Sequence, residues 1–299
     1  MDTRLLPRER LAHVVVRGLT YGLLIVLTLL ISLPHVFVYG LTHPPCNRPA
    51  PLASLPAPEE YWLDIGSQQT LRVWYYPSRN GAAIVTLGGI GGALGDNLPP
   101  AAFLIQQGYG VLQVDTRACA SPRATVTLGY DEAADAAAAL DFLAARPEVD
   151  ERRMGLFGFS MGAAAAIRTA ARRPDVAAVV AEGGYFNLGD QILAAGDANS
   201  LPQRFFVAAI AYSFRLQTGI DPRLLSPIDD LPAISPSPIL FIYGEGEAAS
   251  AHAQAQFDAA GEPKELWIVP AGSHGRNALV APDEYFQRIS EFFGRTLLK

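Results

Sequence analysis

From residue 60 onward, short apolar runs alternate with stretches of strong helix formers, and this alternation limits the fold more than any other feature. Runs at 61–65 and 70–76 read as an opening hairpin. AAIVTL at 82–87, YGVLQVD at 109–115, RMGLFGF at 153–159, VAAVVAE at 176–182, PILFIYG at 238–244 and ELWIVP at 265–270 are continuous apolar runs of strand length, the mark of strands buried on both faces. Between them lie helical patterns at 98–107, 129–146, 161–173 and 249–260, with a last helix over 282–298. Strand–helix repetition of this kind predicts an α/β domain, a mostly parallel central sheet with helices on both faces. Residues 187–237 break the alternation with two helix-like segments, which predicts a helical lid-like insertion over the strand ends. Within it, the apolar stretch 204–214 is expected either to be buried on the sheet or to line an acyl pocket or membrane face.

Chemistry concentrates at Gly158-Phe159-Ser160-Met161-Gly162. An apolar strand leads into this G-x-S-x-G and a helical pattern leaves it, the context of a nucleophile elbow. The glycines permit the sharp turn that exposes Ser160, and the following helix aims backbone N–H groups at it. A serine hydroxyl needs a base within hydrogen-bond reach. Residues 60–299 contain two histidines, His252 inside a predicted helix and His274 in a loop after the last strand, and the loop residue is the better candidate. The glycine run 88–92 is not a dinucleotide loop, because G-x-G-x-x-G fails at Leu94. The sequence has no H-E-x-x-H motif or clustered Cys and His, so neither metal nor cofactor is expected.

With strand, elbow and helix in this order, residues 60–299 resemble the α/β-hydrolase family, in particular bacterial esterase-like and dipeptidyl-peptidase-like serine hydrolases with an N-terminal anchor. The resemblance makes Ser160 the nucleophile and His274 the base. It puts the triad acid in FIYGEGE, where Gly244 matches the family's glycine and Glu247 falls at the acid position, with glutamate in place of the usual aspartate. Glu182, after the 176–182 strand, and Glu245 are the alternative acids. The oxyanion hole is expected from the N–H groups of Met161 and Ile90, with Gly88 standing where the family commonly has histidine. Asp115 is expected to be a structural strand-end residue.

The N-terminus reads differently. Residues 18–41 contain no Asp, Glu, Lys or Arg. At ~1.5 Å per residue such a helix reaches about 36 Å, enough to cross a hydrocarbon core of about 30 Å. Arg4, Arg8, Arg10 and Arg17 fall in the short basic segment 1–17. By the positive-inside rule, the segment 18–41 is then a transmembrane signal-anchor with a cytoplasmic N-terminus and the 60–299 domain outside. Residues 42–59, with Pro44, Pro45, Pro49, Pro51, Pro56 and Pro58, are expected to form a semi-rigid spacer. Cys46 and Cys119 are expected to be free thiols.

The chain carries a formal net charge of −6. That argues against a broad phosphate-binding surface, hence against nucleic acid as a partner. The expected function is a membrane-anchored serine hydrolase, foremost a carboxylic-ester hydrolase acting on a small-molecule ester or acyl substrate. A peptidase or amidase of the same fold, and a non-catalytic membrane-tethered binding protein on the same scaffold, are the alternatives.

Overall fold

The computed structural model describes residues 8–298 other than 48, 67, 96–98, 122–123 and 195–199. Arg4, the first residue of the helix expected at 98–107 and a short part of the 187–237 insertion lie outside the described residues. The strands are β1 Glu59–Asp64, β2 Thr70–Tyr76, β3 Ala83–Leu87, β4 Gly110–Val114, β5 Met154–Phe159, β6 Val176–Glu182, β7 Ile239–Gly244 and β8 Lys264–Val269. The α-helices are α1 Arg8–Thr42, α2 Pro99–Gln106, α3 Glu132–Ala144, α4 Met161–Ala170, α5 Leu188–Ala194, α6 Leu201–Thr218, α7 Pro227–Asp230, α8 Glu245–Ala248, α9 Ala253–Ala259, α10 Asn277–Val280 and α11 Pro282–Leu297.

The strands form one sheet in the order β1-β2-β4-β3-β5-β6-β7-β8, with β2 antiparallel to both its neighbours and the rest parallel. Alternate side chains serve opposite faces, as the strand period of two requires. Val73, Val85, Leu156 and Phe241 enter one core with Leu140 of α3 and Ile167 of α4. Trp74, Ile84, Phe157 and Ile242 enter the other with Leu104 of α2 and Phe293 of α11. Arg72 of β2 and Asp115, just past β4, form a buried ion pair of 2.8 Å, so Asp115 ties two strand ends together.

Several expectations need correction. The cysteines are not free: Cys46 and Cys119 are disulfide-bonded, with their Cα atoms 5.0 Å apart. The proline-rich segment is irregular, with a turn closed by the Leu55 N–H donating to the Leu52 carbonyl at 3.0 Å, and it does not stand off as a spacer. Its prolines deny it regular structure, and it lies along the domain instead, where Leu55 packs on the core and Pro49 abuts Gly95. At its start the Val126 N–H donates to the Thr42 carbonyl at 2.8 Å. The apolar helix is also longer than 18–41 and ends inside the domain. Val38 and Thr42 are buried, and Gln217 of α6 hydrogen-bonds the His35 carbonyl at 3.0 Å. Helix α6 therefore packs against α1 and α5 rather than being buried on the sheet; Phe205 is exposed and Phe206 half-buried. The helix expected at 249–260 is broken, because His252 adopts a left-handed conformation (φ 51°) and caps α9. Its ring sits on Phe186, 4.1 Å between centroids.

Candidate active site

The site lies at the carboxyl ends of β5, β6, β7 and β8, where loops leave a parallel sheet and ligands commonly bind. Strand β5 ends at Phe159, and α4 begins at Met161. The chain reverses in the single residue between them. Ser160 has φ 57° and ψ −118°, a strained conformation for a non-glycine residue, held by its own N–H donating to the Glu182 carbonyl at 2.8 Å. The flanking glycines are steric necessities: a side chain on Gly158 would strike the Gly162 backbone, and one on Gly162 would strike the Leu87 carbonyl.

His274 arrives from the loop after β8. Its Nε2 is 3.0 Å from Ser160 Oγ and its Nδ1 is 2.6 Å from Glu247 Oε2. Glu247 is the third residue of the helical turn that leaves β7. Its Oε1 accepts the Gly244 N–H at 3.1 Å, so one carboxylate oxygen fixes the turn and the other meets the imidazole. The Glu247 hydrogen bond raises the His274 pKa above its ordinary 6.5, outweighing partial burial, which acts the other way. Phe159 covers the ring, 5.0 Å between centroids. Gly183 leaves room on the other side: its φ is +62°, and an added Cβ would come within 3.0 Å of His274 Nδ1.

The other two carboxylates sit elsewhere. Glu182 is buried beneath the site, where its oxygens accept from Asn277 Nδ2 at 2.9 Å and the Tyr285 hydroxyl at 2.6 Å. Burial raises its pKa, and the two hydrogen bonds only partly oppose this. Glu245 accepts the Ala271 N–H at 2.9 Å, pinning the start of the His274 loop. Asn277 and Tyr285 were not singled out by the sequence. Tyr285 reads there as one more apolar-face position of the last helix, and only a buried glutamate in need of donors gives it away. His252, capping α9, takes no part in the Ser160–His274 pair.

Met161 is the first residue of α4, so its N–H has no acceptor within the helix and lies beside Ser160. Opposite is the turn Gly89–Gly92, closed by the Gly92 N–H donating to the Gly89 carbonyl at 2.9 Å, with Ile90 at its corner. A Cβ on Gly89 would lie 3.6 Å from that of Ser160, so the turn packs directly against the nucleophile position. A hydroxyl, an imidazole and a carboxylate in series, with backbone N–H groups nearby, can perform nucleophilic acyl transfer.

The family model for X-Pro dipeptidyl-peptidases (S15 family) matches residues 42–272. An uncharacterized protein of Mycobacterium tuberculosis is 33% identical over 142 residues, covering 46% of this chain and 50% of that protein. The chain thus spans about half the length of the curated relatives it matches. An esterase of Pyrococcus furiosus superposes with a TM-score of 0.66 at 22% identity, covering 86% of this chain and 98% of that one. An α/β hydrolase of Penicillium gives a TM-score of 0.64 at 19% identity, covering 82% and 100%. A puromycin-hydrolyzing peptidase of M. tuberculosis gives 0.62 at 18%, covering 83% and 42%. At these identities the solved structures speak for the fold, and the family match speaks for the sequence. The chain belongs to the X-Pro dipeptidyl-peptidase (S15) family of α/β hydrolases.

Proposed function

We propose that this protein is a membrane-anchored serine hydrolase that cleaves carboxylic esters through Ser160, His274 and Glu247. The observation that carries the proposal is the unbroken series from Ser160 Oγ through His274 to Glu247, with separations of 3.0 and 2.6 Å. Ser160 Oγ attacks the ester carbonyl as His274 Nε2 takes its proton. Glu247 holds Nδ1–H, which fixes the tautomer and stabilises the imidazolium that forms. The Met161 and Ile90 N–H groups receive the developing oxyanion. The tetrahedral intermediate collapses, His274 returns the proton to the leaving alcohol, and an acyl-enzyme remains. Water then attacks the acyl carbon, gives its proton to His274 and releases the acid, and the proton returns to Ser160.

Helix α1 is long and apolar enough to span a bilayer. With arginines before the run, the proposed orientation leaves the N-terminus in the cytoplasm and the hydrolase domain outside. The Cys46–Cys119 bond supports this, because disulfides persist in oxidising compartments.

A peptidase reading is favoured by the family description. It requires a free anionic group near Ser160 to receive a substrate's N-terminal amine. Of the three site glutamates, Glu247 is engaged by His274, Glu182 is buried between Asn277 and Tyr285, and Glu245 holds the Ala271 N–H, so each already has a partner, which supports the ester reading. The test compares p-nitrophenyl butyrate with an X-Pro p-nitroanilide. The ester should turn over much faster, and Ser160→Ala should lower its hydrolysis by about 10⁶-fold, as in a well-studied triad. Faster cleavage of the anilide would give the peptidase reading, and undiminished esterase activity in Ser160→Ala would remove the site assignment.

A further inference from the structure

The membrane-proximal helices border an open space that the triad does not use. A cavity of about 530 Å³ lies between α1, α5 and α6, walled by Phe37 and Leu41 of α1, Tyr185 of the loop after β6, Leu188 of α5, and Phe206 and Ile210 of α6. Its size falls in the ~300–1,000 Å³ range usual for small-molecule sites, and its walls are mostly apolar.

Two of its features point to the bilayer. The first is the wall itself. If the uncharged run beginning at Gly18 crosses the hydrocarbon in about 20 residues, Phe37 stands at the far edge of that layer and Leu41 about 6 Å beyond it. The cavity therefore opens beside lipid. The second is the outer surface of α6. Leu201, Phe205, Tyr212 and Leu216 are 60–70% exposed. At ~100° per residue they fall within about 60° of one another, opposite the face that carries Val207 and Phe214 into the interior. Arg204 and Arg215, also exposed, lie together along one edge of this stripe. An apolar stripe edged by arginines is the pattern of a helix resting in a headgroup layer.

The inner end of the cavity approaches the site. Tyr185 follows Gly183 and Gly184, and Gly183 is the residue that abuts His274. A methyl group placed on Gly129 would lie 3.3 Å from both the Tyr185 hydroxyl oxygen and the Met161 carbonyl oxygen. Tyr185 thus lines the cavity and ends in a hydroxyl that donates to the Leu128 carbonyl at 2.6 Å, on the same glycine that borders the Met161 carbonyl.

We infer that this cavity holds the fatty acyl chain of a membrane lipid ester, so that the substrate enters sideways from the bilayer and presents its ester carbonyl to Ser160. The inference rests on the ester-hydrolase reading of the site, and it makes long-chain lipid esters the substrate class. An anchor helix then has a second role, since it forms one wall of the acyl site.

The test uses the full chain in phosphatidylcholine vesicles. Ile210→Trp fills the cavity, and the readout is the ratio of 4-methylumbelliferyl palmitate to 4-methylumbelliferyl butyrate hydrolysis. That ratio should fall about tenfold or more, because hydrophobic pockets discriminate by such factors for small changes in fit. A ratio within about twofold of wild type overturns the inference. Should Ile210→Trp fail to fold, the wild-type protein decides by photo-crosslinking to a phosphatidylcholine bearing a diazirine in its acyl chain. Adducts on peptides containing Phe37–Leu41 and Phe206–Ile210 support the inference, and their absence from both peptides overturns it. If the wild-type protein hydrolyses neither ester while these adducts form, the catalytic reading fails and the acyl site stands.

Discussion

Strands β6 and β7 are neighbours in the sheet. Both end beneath the same His274 loop with a glutamate at or just past the end, yet the two carboxylates meet different partners. Glu182 is the last residue of β6 and still belongs to the sheet, so its side chain is buried and takes its partners from below, Asn277 and Tyr285. Glu247 lies three residues past the end of β7, on a helical turn that lifts it to the rim, where the imidazole waits. A carboxylate within a strand is enclosed by the core, whereas one carried a turn beyond it can reach a loop. Which carboxylate meets the imidazole thus follows from its distance past the strand end rather than from its presence at one.

The largest effect separating the two should come from Glu247→Gln. Loss of tautomer control costs about 10⁴ in turnover in a well-studied triad, and a similar fall is expected in p-nitrophenyl ester hydrolysis. The pH profile sharpens the point. His274 must be neutral to act as base, and Glu247 raises its pKa, so the wild-type activity should fall away on the acid side at a pH above 6.5. In Glu247→Gln the residual activity should hold to lower pH. A limb that does not move would mean that Glu247 does not govern His274.

Glu182 should show the converse, a modest loss of turnover with a clear loss of stability. Glu182→Leu strands the Asn277 amide and the Tyr285 hydroxyl, at about 1–3 kcal/mol for each buried group left unpaired, measurable by urea denaturation. Burial raises the Glu182 pKa in the folded state, so this group's contribution to stability declines as pH rises from its ordinary 4.5 toward the raised value. Glu182→Gln should abolish that slope. If Glu182→Gln cripples turnover more than Glu247→Gln does, the two roles are reversed.

The smallest effect on turnover is expected at the disulfide. Cys46→Ser frees the segment between α1 and the domain and should cost about 2–4 kcal/mol of stability, read by denaturation with and without reductant, while short-chain ester hydrolysis changes little. A large loss of short-chain turnover would show that this segment shapes the site itself.

Much of the domain was legible because it repeats simple rules. Apolar runs of strand length marked β2 to β8 to within about a residue or two, and the strand–GFSMG–helix context singled out Ser160. Glu247 was reachable only through the family's spacing after Gly244, since nothing local distinguishes it from Glu245. What the sequence hid depends on contacts between distant segments. Cys46 and Cys119 are 73 residues apart, and no local pattern shows that a proline-rich stretch doubles back onto the turn that follows β4. Tyr285 looks like any core aromatic until Glu182 is found beneath the site. Helix α6 was ambiguous because it has two apolar faces, one toward α1 and α5 and one toward the outside, and hydropathy alone does not separate them.

Active-site labelling decides whether Ser160 is an activated nucleophile. The full chain is treated with a fluorophosphonate probe and the adduct located by peptide mass spectrometry. One adduct on Ser160 is expected, absent in Ser160→Ala and strongly slowed in His274→Ala. Folded protein that takes no label, or labels equally well without Ser160, would contradict that assignment.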